Sequence, residues 1–245
     1  MMRRRLPEFL YRVHLNSKNP LAEADVSGGY RFDDFRHEPH RRFHVLYTGD
    51  TIEGCFIEKL QKFSGSDEEA AIILSEILHN VGDEPKFPTR NSIPAKLLRD
   101  LAASKIAVLD PTQEAIDITA VETMIEIPQH DFNIGIRIPD IQLTDVMKTG
   151  YRISKRLSTI IHDTTDAAGL LSRSALDDPA SEIVHLNYSL FRKLPAEGSK
   201  TRVLLDRKET KRALDGHSPE LQAALTHLHA VPAFPLDHPD LRTSL

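Results

Sequence analysis

FHVLYTGDTIEGCFIE, residues 43–58, contains the change of period on which the rest of the chain can be placed. Val45, Leu46 and Tyr47 form a short strand, Gly49 and Asp50 a polar turn, and Ile52 opens a helix. Thr51 or Asp50 stands where a helix cap is needed. Ile52, Cys55, Phe56, Leu60 and Phe63 recur at helical spacing as one apolar stripe. At about 100° per residue, Glu58 falls roughly 130° from the centre of that stripe. Glu58 is therefore not core, and the wheel allows it to be solvated or to line a cleft. A strand end presenting Tyr47 and a helix presenting Glu58 would make two walls of a small-molecule pocket. A buried strand followed by a surface helix is the plainer reading of the same residues.

On the N-terminal side, FLYRVH (9–14) alternates with strand period. Leu10, Arg12 and His14 share one face; Phe9, Tyr11 and Val13 share the other. Arg12 then points away from the apolar face, to solvent or to a cleft. Residues 15–29 read as loop, and Gly28-Gly29 permits positive φ and a close backbone approach. Tyr30, Arg31, Phe32 and Asp33 follow, then a polar tract to Arg42. His37, His40 and His44 are spaced at three and four, which on a helix would gather a metal-binding face. Pro39 and the surrounding arginines oppose a regular helix there, and no acidic or cysteine partner sits at a fixed spacing. No metal is expected.

On the C-terminal side, Ser66 with Glu69 forms a capping box, and Ile72, Ile73 and Ile77 continue a helix to about His79. Pro85, Pro88 and Pro94 mark a loop. Ala95–Ala103 reads as a short helix. Patches at Ile106–Leu109, Ala115–Thr119, Thr123–Ile127 and Phe132–Ile138 read as strands. Val146, Gly150, Ile153, Leu157 and Ile160 place a long helix over Thr144–His162. GLLSRS (169–174) follows a turn, and Ile183–Phe191 reads as a strand. Residues 194–217 are charged and loop-like. Ser218-Pro219-Glu220 starts a last helix with proline at its first position.

Composition narrows the classes. The 245 residues carry 31 basic and 36 acidic side chains, a net charge of −5. That balance disfavours nucleic acid as the direct partner. With no Trp and 6% aromatics, a stacking platform for single strands is not expected either. The basic stretches at Arg3–Arg5 and Arg31–Arg42 leave room for a local anion pocket. No apolar run approaches the ~18 residues of a membrane span. MMRRRLPEFLYRV is basic but lacks an apolar segment of secretory length, and Cys55 is the only cysteine. A cytoplasmic protein is the expectation.

The order Tyr-Arg-Val, Gly-Gly-x-Arg-Phe-Asp, Val-Leu-Tyr-Thr, a helical Glu, then Gly-x-x-x-x-Ser resembles the RES domain family. The positions that match are Arg12, Arg31, Tyr47, Glu58 and Ser174, and the likeness spans residues 7–193. Two departures stand out. Tyr30 separates the glycine pair from Arg31, and Ser172 and Ala175 replace the residues that usually flank the family's serine. Ser172 is thus an alternative to Ser174, which is preferred because it stands five after Gly169. Residues 194–245 form a C-terminal extension of loop plus short helix on which the resemblance is silent.

The resemblance implies an α+β fold: an ADP-ribosyltransferase-like split β-sheet core with flanking helices, followed here by the C-terminal helical extension. It implies an NAD-degrading toxin held off by an antitoxin of the Xre/MbcA kind. NAD would be the substrate, with no further cofactor. Breaking the nicotinamide–ribose bond passes through an oxocarbenium-like transition state. Nicotinamide leaves as a neutral pyridine, so no general acid is needed. Arg12 and Arg31 suit the pyrophosphate, as forked donors. Tyr47 suits stacking on nicotinamide. Glu58 suits the ribose hydroxyls, the developing cation or the attacking acceptor. Ser174 suits a phosphate or the nicotinamide amide. A protein mono-ADP-ribosyltransferase and a non-catalytic binding protein are the alternative readings.

Overall fold

The computed structural model describes residues 1–22, 30–36, 42–63, 92–93, 95–110, 112–127, 151–174, 184–192, 205–212, 218–228 and 230–232. In chain order the elements are β1 (Arg3–Arg5), β2 (Phe9–Leu15), β3 (His44–Gly49), α1 (Ile52–Leu60) with a 3-10 turn at Gln61–Phe63, β4 (Ser92–Ile93) and α2 (Ala95–Asp100). There follow β5 (Leu101–Val108), β6 (Glu114–Asp117), α3 (Val121–Glu126), α4 (Arg152–Thr164), β7 (Gly169–Arg173), β8 (Leu186–Arg192), β9 (Leu205–Arg212), α5 (Pro219–His227) and β10 (Val231–Pro232).

Eight strands form one sheet in the order β1-β6-β7-β8-β3-β2-β5-β9. Its neighbours are antiparallel except the parallel pair β6–β7. The small parallel pair β4–β10 lies apart from it. The sheet is curled. Leu10 and Val108, from the β2–β5 part, share a cluster with Ala115, Leu171 and Leu190 from the β6–β7–β8 part. The Glu8 carbonyl accepts from the Val108 N–H, extending the β2–β5 ladder, and the Gln113 carbonyl accepts from the Leu6 N–H, extending the β1–β6 ladder.

The other side of the sheet holds two helical layers. In one, Leu157, Ile160 and Ile161 of α4 cover Phe43, Val45, Leu170 and Phe191. In the other, Cys55, Phe56, Ile57 and Leu60 of α1 lie between Val13, Leu101 and Ala103 of the sheet and Leu221, Ala224 and Leu225 of α5. At about 25 cal/mol per Å² of apolar area, side chains like these provide most of the drive to fold. The α+β class expected from sequence is the class observed, and the C-terminal helix lies over α1.

Several elements differ from the sequence reading. Thr123–Ile127 looked like strand because it is β-branched, yet it lies in and just after α3. The Asp117 carboxylate accepts from the N–H and hydroxyl of Thr119, a turn that ends β6. The buried Thr123 hydroxyl then accepts the Met2 N–H. The helix expected over 95–103 stops at Asp100, because Leu101–Leu15 through Ala107–Phe9 pair as strands. Residues 205–212, read as charged loop, form β9. Its lysines and arginines suit an edge strand, where charge discourages further pairing. The expected helix at 66–79, the strand at 132–138 and residues 144–150 of the long helix lie outside the described residues.

Candidate active site

Glu58 sits on the side of α1 that meets the ends of β7 and β8. Thr51 caps this helix, its side chain accepting the Gly54 N–H at 3.0 Å. Gly54 has no side chain because a Cβ there would meet His185 Cβ at 3.0 Å. That closeness brings α1 against the lead-in to β8. Glu58 Oε1 accepts hydrogen bonds from Ser174 Oγ and Asn187 Nδ2, both at 2.8 Å. Gln61 Nε2 donates to Oε2 at 3.3 Å. Glu58 is half-buried. Ile57 beside it is fully buried, although it fell outside the expected stripe, because α1 is covered by α5 as well as by the sheet.

Ser174 stands one residue past β7 and is buried, its N–H bonded to the His185 carbonyl at 2.9 Å. Ser172 is also buried and pairs with Asn187 across β7 and β8. Asn187 in turn pairs with Gly49 of β3, and Ser189 pairs with Tyr47. Since alternate residues of a strand share a face, Tyr47, Asn187 and Ser172 project from the same side of the sheet. Glu58 reaches down to that side.

Tyr47 is tied to the segment that carries Arg31. Its hydroxyl donates to Asp33 Oδ1 at 3.0 Å and accepts the Phe32 N–H at 3.1 Å. Asp33 Oδ2 accepts the Tyr30 N–H at 2.8 Å. The rings of Tyr30 and Tyr47 are 5.6 Å apart and tilted by 45°. Burial, then the charge of Asp33, holds the Tyr47 phenol well above its ordinary pKa, so it remains a donor. Burial also pushes the Asp33 carboxyl up, against the bonds from Tyr30 and Tyr47. The same segment docks on α4: Ser158 donates to the Phe32 carbonyl at 2.7 Å, and Thr159 accepts the Phe35 N–H at 3.0 Å. The Arg31 guanidinium lies 5.7 Å from the centroid of the Tyr151 ring, at the start of α4, where Tyr151 has φ of 51°.

Arg12 is placed differently. Its guanidinium donates to the Pro20 carbonyl at 2.7 Å and also to the Ala22 carbonyl. It pairs with Ser104 on β5 and shares its face of β2 with His14. Val13 and Tyr11, on the opposite face, meet the α1 layer. Arg12 thus points away from the apolar face, as its strand period implies, and lies on the side of β2 opposite the one that meets α1. His14 is buried, bonded through its two ring nitrogens to Ser104 Oγ and the Leu15 carbonyl at 2.8 Å each. Burial lowers its pKa.

The structure thus joins Glu58 to Ser174 and Tyr47 to the Arg31 segment, while Arg12 secures the loop after β2. Two residues of this arrangement were missed from sequence. Asn187 carried a signal, since asparagine is depleted in strands. Asp33 carried one in its place directly after Arg31-Phe32. Among the described residues, no group of three or more His, Cys, Asp or Glu is arranged to hold a metal; His37 and His40 lie outside them. No helix among them is long and apolar enough to cross a membrane.

Among curated protein sequences none matches this chain. Among solved structures, it is similar to a chain of the crystal structure of the M. tuberculosis MbcT–MbcA toxin–antitoxin complex. That similarity covers 84% of each chain at 15% identity, with a TM-score of 0.49. The family model described as "RES domain" matches residues 9–212. This match runs from β2 through β9 and takes in Arg12, Arg31, Tyr47, Glu58, Ser174 and Asn187, and by it the chain belongs to the RES domain family.

Proposed function

We propose that this chain consumes NAD by cleaving the bond between nicotinamide and ribose, with water or phosphate as acceptor. The observation that carries the reading is the Glu58 carboxylate, held at Oε1 by Ser174 and Asn187 on the sheet face that also bears Tyr47. A carboxylate fixed by donors before substrate arrives is the element an oxocarbenium-like transition state requires, because no reorganisation is needed as positive charge develops. In this reading Glu58 faces the ribose. Tyr47 on β3 and Arg31 on the segment that the Tyr47 hydroxyl braces take the nicotinamide and the pyrophosphate. Arg12 acts indirectly, by securing the loop after β2 through the Pro20 and Ala22 carbonyls. Ser174 orients Glu58 and takes a phosphate or amide oxygen.

Purified protein incubated with NAD, with and without phosphate, tests this. Release of nicotinamide is expected, and Glu58→Gln should slow it on the order of a hundredfold or more. Unchanged rates in Glu58→Gln and Arg12→Ala would overturn the assignment. Free ADP-ribose identifies water as acceptor, ADP-ribose phosphate identifies phosphate, and labelled protein identifies a mono-ADP-ribosyltransferase. We propose further that the activity is that of a cytoplasmic toxin paired with an antitoxin of the Xre/MbcA kind, as the family resemblance implies. Expression should then arrest growth, and Glu58→Gln should abolish the arrest.

A further inference from the structure

We propose that Asn187 is a positioning residue for Glu58: its amide fixes one carboxylate oxygen while adding no titratable group beside it. The proposal rests on the reading of Glu58 as the catalytic carboxylate. Glu58 Oε1 has two close donors, the Ser174 hydroxyl and the Asn187 amide, each at 2.8 Å. Among the described residues, Oε2 has the longer contact from Gln61. Oε1 is therefore the anchored oxygen, and Oε2 is the one left to meet a ligand.

The sheet is built to deliver that amide. Asn187 lies between Gly49 on β3 and Ser172 on β7. At Gly49 a Cβ would stand 2.8 Å from Cys55 Sγ, so the position next to Asn187 on that side has no side chain. Ser172 on the other side is small. The asparagine side chain thus has room to rise from the sheet to α1. Because an ionised carboxylate only accepts, the nitrogen of the amide must be the atom that faces Oε1. The two donors also come from different strands, β8 and the end of β7. Together they fix the carboxylate against rotation in a way that one hydroxyl cannot.

The choice of an amide has a chemical consequence. An aspartate of nearly the same shape would put a second carboxylate against Oε1, and two carboxylates at that distance share a proton. Glu58 would then be partly protonated where it is needed ionised. Asparagine gives the same reach as a fixed donor.

Asn187→Asp and Asn187→Ala test the proposal, with thermal melting to establish that both remain folded. In Asn187→Asp, the acid limb of the kcat profile for nicotinamide release should move up by at least about one pH unit. In Asn187→Ala, kcat should fall on the order of a hundredfold from misplacement of the carboxylate, with KM for NAD little changed. A carboxylate-specific NMR titration of Glu58 is run in parallel. It should show the same upward shift in Asn187→Asp whether or not the wild type turns over NAD. Absence of turnover in the wild type would therefore count against the proposed function, and an unmoved Glu58 titration in Asn187→Asp would overturn the role of Asn187. A wild-type pH profile in Asn187→Asp, or an effect of Asn187→Ala on KM alone, would also overturn it.

Discussion

The Tyr47 hydroxyl accepts from the Phe32 N–H and donates to Asp33, so removing this one oxygen takes the acceptor from Phe32 and leaves Asp33 with the Tyr30 N–H. Tyr47→Phe should lower stability by about 1–3 kcal/mol, read by denaturant unfolding, and loosen the segment that carries Arg31. The two aspartates of that segment titrate in opposite senses. Burial raises the pKa of Asp33. Burial acts the same way on Asp34, but the Arg36 guanidinium and the N–H groups of Arg36 and Phe43 outweigh it, and the net shift is downward. A depressed carboxylate contributes stability above its unfolded pKa and loses it as pH falls through the folded value. Asp34→Asn should therefore flatten the loss of stability below about pH 4, followed by chemical denaturation at a series of pH values. Asp33, with its raised pKa, disfavours the ionised fold at neutral pH, a penalty that disappears as pH falls through its folded value. None of this was readable from residue types alone. Neighbouring aspartates look alike until their donors are known.

At the scale of elements, β7 closes on β8 only because residue 169 is glycine. A Cβ there would meet Leu190 Cα at 2.8 Å, against backbone that cannot step aside. Gly169→Ala should cost about 1–3 kcal/mol and displace Ser172 and Ser174 at the far end of the strand, seen as a lower melting temperature. The gross pattern of elements was legible. The strand–turn–helix of residues 43–58 and the cap at Thr51 follow from local period and local hydrogen bonding. Burial that depends on distant chain was not. The wheel of α1 placed Ile57 outside the apolar stripe because it counted one packed side, whereas α5 supplies a second. The β-branched residues of α3 were misleading for the same reason: the turn at Asp117 and the Met2 contact decide that helix, and strand propensity does not. Leu221, buried where α5 meets α1, is a direct test of that second side. Leu221→Ala should destabilise by about 2–5 kcal/mol in thermal or denaturant melts.

At the scale of the whole molecule, the sheet draws its neighbours from far apart in sequence, β1 with β6, β3 with β8 and β5 with β9. Such pairings are invisible to periodicity, which reports only which residues form strands. The contact of Glu58 with Ser174 and Asn187 is a product of this topology, since α1 precedes β7 and β8 by more than a hundred positions. The order of motifs could nominate Glu58 and Ser174 but not show that they touch. Ending the chain after Arg212 would keep every strand of the large sheet and remove α5. Phe56, Ile57 and Leu60 would lose their cover, and the truncated chain is expected to melt earlier and to lose nicotinamide release. The placement of α5 over α1, with β10 just beyond it paired to β4, also bears on synthesis. Arg12, Tyr47 and Glu58 are all translated long before residues 219–227, the helix that covers α1 and so seats Glu58. A ribosome-bound chain stalled before residue 219 carries these residues on an unfinished scaffold. Any activity that depends on the seating of Glu58 must then wait until α5 has been made and has packed on α1.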